Sequence, residues 1–262
     1  MKKRYLAPSV KKAFDILREI SSSREGMGLS DIARTLKMAK STAHGITSIL
    51  EELGAVVRDP ITRRYELGLT LFELGHRAYS QIDLRDIARP VMEEVMEQVQ
   101  ETVFLGMLHG EHMTILDVVE CGHDFKITSQ IGTSIPFLAA ATGKALLASL
   151  EDSKALEIIK SKGLPKYTEK SITDPALFLE EVKRVRLKGY ATDYEEYISG
   201  VRAVAAPVNG GGNNRAVIWV VGFKASLDDR KIETLTSVIM EAVAAIEEGI
   251  KEQSAMKVGS FP

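Results

Sequence analysis

Leu29-Ser30-Asp31-Ile32-Ala33-Arg34-Thr35-Leu36-Lys37-Met38-Ala39-Lys40-Ser41-Thr42-Ala43-His44-Gly45-Ile46-Thr47-Ser48-Ile49-Leu50 is the stretch that decides the fold of the first third of the chain. Two helical patterns flank a four-residue turn, Lys37 to Lys40. Ser30 is placed to cap the first, with Asp31 favourable in its opening turn. The second is expected from Ser41 to Leu53, with Ala43, Ile46, Leu50 and Leu53 as its buried stripe and Gly54 as its stop. Its other side carries Ser41, His44, Gly45, Ser48 and Glu52, a polar face without bulk. Upstream, Val10, Ala13, Phe14, Leu17 and Ile20 form one apolar helical face, ended by Ser21-Ser22-Ser23 and by Gly26 and Gly28. Downstream, Ala55 to Arg58 and Arg64 to Leu67 read as strands around Asp59-Pro60-Ile61-Thr62. Helix, helix, turn, helix and ribbon make a winged helix-turn-helix, with the third helix as reader and the ribbon as wing.

The whole chain, 262 residues, suits one large domain or two ordinary ones. With 45% apolar and 27% charged residues it is neither disordered, collagen-like nor disulfide-rich. A single cysteine, Cys121, has no internal partner and fits a reducing compartment. No signal peptide is expected, because Pro8, Lys11 and Lys12 interrupt the start before an apolar run develops. The longest apolar run, Ala216 to Val221, is strand-length, far below the ~20 residues of a membrane helix. A soluble cytoplasmic protein is expected. The net charge of −2 hides an asymmetry: 14 basic against 9 acidic side chains in the first eighty residues, 20 against 27 in the rest. A basic head on an acidic remainder suggests that one part meets a polyanion and the other something else.

From Leu69 to Gln100 the pattern is helical and reads as a linker, with Pro90 predicting a break or kink near Arg89. Beyond it, Thr102 to Leu108 and Met113 to Val119 read as a hairpin, and Lys126 to Gln130 as a strand. Thr142 to Ser149, Ser153 to Lys160 and Pro175 to Lys188 read as helices. Ala203 to Val208 and Arg215 to Ala225 make a second hairpin, and a last helix runs from Asp228 to about Lys251 before a loose tail. Hairpins mixed with helices argue for an α+β domain on an antiparallel sheet. The expected division is a winged helix-turn-helix DNA-binding domain over 1–68, a linker helix over 69–83 and an α+β domain over 84–262, for which the family resemblance given below implies effector binding and oligomerisation.

A recognition helix enters the major groove by its first turns. Here those turns carry Lys40, Ser41, Thr42, His44 and Gly45, with Ser48 one turn on. Hydroxyls, imidazole and ammonium reach base edges or phosphates, and Ser30 stands at the start of the preceding helix. Arg63 and Arg64 on the wing suit phosphates or the minor groove, and Lys2, Lys3 and Arg4 add a basic arm. In the second half, Ile135 to Lys144 delivers small residues into a helix start, where backbone N–H groups favour an anion. It is no Walker loop: Leu138 stands at the first glycine position and Ala145 replaces the hydroxyl residue.

Ser9 to Leu17, Leu29 to Ala33, Lys40-Ser41-Thr42-Ala43-His44 and Arg64-Tyr65-Glu66-Leu67-Gly68 resemble the IclR family of bacterial transcriptional regulators. The resemblance continues through Ile87-Ala88-Arg89-Pro90, Glu101-Thr102-Val103, Ile131 to Pro136, Thr142 to Ala148 and Asp193 to Gly200. It implies a winged helix-turn-helix, a linker helix and a C-terminal effector-binding domain with a GAF-like sheet. It also implies homodimers or homotetramers on palindromic double-stranded operators, a repressor being the expected sign. Its effector pocket would be lined by Ile127, Ile135, Ala141, Thr142, Asp193, Val201 and Ala203, with Asp193 bonding the polar end of the ligand and Ala141 and Thr142 offering backbone donors. Ala203 stands where many relatives carry cysteine, which makes the pocket roomier and more apolar and favours an organic acid or aromatic effector. Gly45 stands where the family commonly has arginine, and Lys37 and Ala39 differ from the usual Gly and Pro of the turn.

His109, His112, Cys121 and His123 would be competent metal ligands if they converged, but their spacing matches no zinc pattern, so no metal and no cofactor is assigned. The competing reading is a small-molecule enzyme whose N-terminal helices merely dimerise it. Cys121 with a histidine base lacks the oxyanion and third-residue signals such an enzyme needs.

Overall fold

The structure, a computed structural model, describes residues 7–23, 25–79, 84–109, 112–209 and 215–259. The chain divides into two compact units, residues 1–82 and 83–262. The basic arm Lys2-Lys3-Arg4 lies outside the described residues.

In the first unit, α1 (Pro8–Ser22), α2 (Leu29–Thr35) and α3 (Lys40–Glu52) precede the ribbon of β1 (Val56–Arg58) and β2 (Tyr65–Leu67), and α4 (Leu69–Tyr79) follows. Ile16, Ile20, Ile32, Ala33, Ala43, Leu50, Val56 and Tyr65 form its core. The end of α3 follows from Gly54: at φ +67 it turns the chain so that its N–H reaches Glu51 O and that of Ala55 reaches Leu50 O. Three sequence expectations shift. Val10 and Phe14 are 57% and 59% exposed, because the apolar arc of α1 is wider than the small unit can cover. Leu53 is exposed as the C-cap residue of α3. Thr47 takes a place in the interior instead, its hydroxyl donating to Ala43 O at 2.9 Å.

The second unit is built on one six-stranded antiparallel sheet. Its strands are β3 (Thr102–His109), β4 (His112–Val119), β5 (Ser134–Pro136), β6 (Ala191–Tyr194), β7 (Val201–Asn209) and β8 (Arg215–Phe223), in the order β5-β4-β3-β8-β7-β6. Side chains alternate between its faces. On one face pack α5 (Leu84–Val99) and α9 (Asp229–Gly259). On the other lie α6 (Ala140–Ala148), α7 (Asp152–Lys162) and α8 (Pro175–Lys188), in a core with Phe104, Ala205, Val217 and Trp219. Every residue of α6 is buried, which its alanine-rich composition permits. Asp174 caps α8 by accepting from Ala176 N and Leu177 N, and Gly189 ends it at φ +85.

Lys126 to Gln130 is not a strand. The partner of β4 on that side is β5 instead: Met113 pairs with Ile135, while Ile115 exchanges backbone bonds with Gly132 and Thr133. Pro90 does not break the helix either. It lies inside α5, whose buried face (Leu84, Ala88, Met92, Val95, Val99) holds the segment helical across the missing bond. The last helix runs on to Gly259 rather than fraying after Lys251. No helix among the described residues is long and apolar enough to cross a membrane.

Candidate DNA-reading face and effector cavity

Lys40, Ser41, His44, Gly45 and Ser48 share the exposed side of α3, and Thr42 is half-buried beside them. No side chain caps the helix start at Ala39, so the first-turn N–H groups remain for an anion. Ser48 Oγ lies 3.5 Å from His44 Nδ1. On the wing, Asp59 accepts from Thr62 N at 2.6 Å, from the Thr62 hydroxyl at 2.9 Å and from Ile61 N at 2.9 Å, bonds that hold its carboxyl below the usual range. This fixed turn leads into Arg63, exposed and at φ +59, and Arg64, half-buried with Nη1 3.8 Å from Glu25. Ser30 is exposed but does not cap α2. That helix starts two residues earlier than a Ser30 cap would set, with Gly28 as its cap, and Gly28 O accepts from Asp31 N and Ile32 N.

A side chain at Gly45 would meet nothing within 4 Å. Gly45→Ala should therefore stabilise the first unit by up to ~1 kcal/mol through helix propensity alone. Urea unfolding followed by helical circular dichroism checks this; a loss of stability would mean that Gly45 serves the fold.

In the second unit all seven expected effector residues line one cavity of about 240 Å³. Ile127, with Thr128 and Ser129, comes from the β4–β5 connection, Ile135 from β5, Ala141 and Thr142 from the start of α6, and Asp193, Val201 and Ala203 from β6 and β7. The sheet adds Phe104, Ile115, Trp219 and Val221, and the loop after β6 adds Tyr197 and Ile198. Phe104 and Trp219 sit opposite one another in register, their rings stacked at 5.2 Å and 7°. Sequence reasoning had not singled out this aromatic pair, although strand alternation puts both rings on one face. Two non-glycine residues with positive φ flank the cavity, Ala140 at +32 and Glu195 at +69, the kind of local strain that gathers at binding sites.

Asp193 is buried, and its Oδ1 accepts from Glu196 N at 2.6 Å. Burial pushes its carboxyl up to about 6, opposed by the Glu196 N–H bond, reinforced by the Glu196 charge and opposed again by Lys144. Lys144 is itself buried, donating to Thr192 O at 3.0 Å and Glu196 Oε1 at 2.6 Å. Glu195 accepts from Lys170 and Lys224, which with Gly200 N holds its carboxyl near 2. The loop over the cavity is thus pinned on both sides. A wider cleft of about 600 Å³ lies along β6, but its Lys170 and Arg184 are paired with Glu195 and Glu181. No group of three or more His, Cys, Asp or Glu among the described residues is placed to hold a metal; Cys121 is buried, 3.9 Å from Thr102 Oγ1.

A winged helix-turn-helix unit, with a second unit that carries a small, mostly apolar cavity, defines a ligand-responsive DNA-binding regulator. Family comparison agrees: residues 9–60 match the IclR helix-turn-helix domain and residues 76–248 the bacterial transcriptional regulator IclR C-terminal domain. The chain belongs to the IclR family of transcriptional regulators. It is 31% identical over 240 residues to the HTH-type transcriptional regulator BhcR of Paracoccus denitrificans, covering 91% of this chain and 86% of that one. The crystal structure of an IclR regulator from Alicyclobacillus acidocaldarius superposes with a TM-score of 0.80 at 28% identity, over 93% of this chain and 99% of that chain. An IclR homologue from Microbacterium hydrocarbonoxydans, complexed with 4-hydroxybenzoate, has the same fold (TM-score 0.80, 24% identity, 93% and 99% covered).

Proposed function

We propose that this protein is a one-component cytoplasmic regulator, without catalytic activity, whose second unit senses a small organic acid or aromatic compound and so controls operator binding. The observation that carries this is the cavity, which joins apolar walls to a single carboxyl and an uncapped helix start. Lys40, Ser41, Thr42, His44, Gly45 and Ser48 would meet the major groove, with Ser30, Arg63 and Arg64 along the backbone. We place the contact between protomers on α1 and α4, where Val10, Phe14, Leu69 and Leu74 are exposed apolar side chains in a small unit. A dimer presents two heads to a palindrome about one helical turn (~34 Å) apart, and a ligand switches it only by binding one spacing more tightly than the other.

Selection from a random duplex library should enrich a palindrome. Affinity for it should fall steeply with log salt, and Lys40→Ala, Arg63→Ala or Arg64→Ala should each reduce the slope by about 1. Failure to enrich any sequence, or binding indifferent to salt, would remove the DNA-reading role and favour the enzyme alternative, which predicts turnover of a small molecule instead.

A further inference from the structure

We propose that Asp117 is a positioning residue: it ties the filling of the cavity to the setting of α5 and, through that helix, to operator binding. This rests on the effector and operator readings above and names the strand that joins them.

β4 changes face part-way along its length. Met113 and Ile115 pair with Leu108 and Gly106 of β3, and Ile115 lines the cavity. Strict alternation would bring residue 117 to that same side. The register instead gains one residue at Leu116, between the Gly106–Ile115 and Leu105–Asp117 pairs. Such a bulge re-aims the side chains beyond it. Asp117 thus stands opposite Leu105, on the face away from Phe104 and the cavity, where it meets α5. One strand carries a cavity wall on one face and, two residues on, a buried carboxylate on the other.

This carboxylate is held from two successive turns of α5. Arg85 Nε donates to Oδ2 at 3.1 Å and Arg89 Nη1 to Oδ1 at 3.0 Å. Arg89 Nη1 also reaches Val118 O at 3.3 Å, and Asp117 Oδ1 accepts from Val118 N at 2.9 Å. A separate oxygen for each arginine, one turn apart, fixes both the depth and the rotation of the helix against the strand. Stability alone does not call for this arrangement. A buried ion cluster is often no better than well-packed apolar groups of the same size, and Ala88 and Met92 are already buried on α5. What directional bonds add is a fixed setting: apolar contacts tolerate small slides and rotations, and an arginine fork does not.

The setting matters because of where α5 lies in the chain. It is the first element of the second unit, and α4 is the element before it. Within the first unit α4 is locked to the end of the reading helix. The Thr70 hydroxyl donates to Leu53 O at 2.9 Å, Gly68 N donates to Ala55 O at 2.9 Å, and a Cβ on Gly68 would collide with Gly54 O. Each of the two successive helices is thus fixed to the working part of its own unit, α4 to the reader and α5 to the cavity strand. A filled cavity that displaces Ile115 acts on the bulge, where the regular ladder is already broken, and so on Asp117 and α5.

A double-mutant cycle on the full-length protein tests this, read as affinity for the palindrome that selection enriches. Ala203→Phe adds a ring to the cavity wall and stands in for an effector whose identity is not needed; Ala203→Leu is the milder filling. Ala203 is buried, and about 240 Å³ is open beside it. Asp117→Asn removes the charge and keeps an oxygen for Val118 N, while Arg85→Gln with Arg89→Gln cuts the same tie from its half-exposed side. In the parent, filling should change operator affinity by about fivefold or more, the lower end of ordinary coupling between sites. In either cut background the same filling should change it by less than about twofold, the additivity error of independent sites. Circular dichroism checks folding, and emission from Trp219, the chain's only tryptophan and a cavity residue, checks filling.

A purely structural Asp117 would lower stability and leave the filling effect at full size; that result overturns the relay and leaves the effector role standing. Folded, filled proteins whose operator affinity ignores the filling overturn the relay together with the effector role of this cavity. A selection that enriches no sequence removes the reading head's role, and the relay with it.

Discussion

Lys144→Ala should cost the second unit about 3–5 kcal/mol, the expected penalty for stranding one member of a buried ion pair. The Lys144 side chain is 2% exposed and that of Glu196 12%, so water cannot replace the lost ammonium well. Thr192 O would lose its donor in the same step, loosening β6 where it carries Asp193. The effect should be reversed in large part by Lys144→Met combined with Glu196→Gln, because a buried pair replaced by neutral groups of similar size is often close to neutral in stability. Urea unfolding followed by Trp219 fluorescence reports on this unit alone, since the first unit has no tryptophan. A loss below about 1 kcal/mol would show that the pair is solvated.

Gly143→Ala should destabilise the same unit by about 3 kcal/mol, the upper part of the range for overpacking. A Cβ there would stand 2.7 Å from Leu138 Cα and 2.8 Å from Leu138 C, and backbone atoms cannot swing aside as a side chain can. Either α6 or the Pro136–Ala139 turn must shift, and both border the cavity. Weaker binding of any cavity ligand should accompany the lost stability. The contrast with Gly45→Ala is direct: the same added methyl group, one against backbone and one in open space. Equal effects at the two positions would undo both arguments.

The reading head was legible because its signals are local. Periodicity, the Gly54 stop and the Asp59 turn each act within a few residues, and the helices and ribbon follow from them. What periodicity could not reveal is how much of an apolar face the rest of a small unit covers, hence the exposure of Val10, Phe14 and Leu53. The cap of α2 moved from Ser30 to Gly28 because either residue can begin a helix there, and the Asp31–Arg34 pair inside the first turns does not choose between them. In the second unit the cavity residues came from family resemblance; composition and spacing suggested only the helix start near Ala141. Lys126 to Gln130 has the look of a strand, but whether it joins a ladder is a long-range outcome, and here Ser134 to Pro136 supplies the pairing with β4. The stacked Phe104 and Trp219 depend on which part of a sheet face the helices leave uncovered, a long-range outcome with no local mark.

The sheet of the second unit is bounded by its two shortest strands, β5 with three residues and β6 with four, around four interior strands of eight or nine. Free sheet edges are templates on which foreign chains add and fibrils grow. Here β5 ends on Pro136, which has no N–H to offer, and Thr192 O on β6 is already spent on Lys144. The consequence bears on aggregation: as concentration rises, the two outermost strands of this sheet offer too short and too occupied a ladder for a further strand to join them.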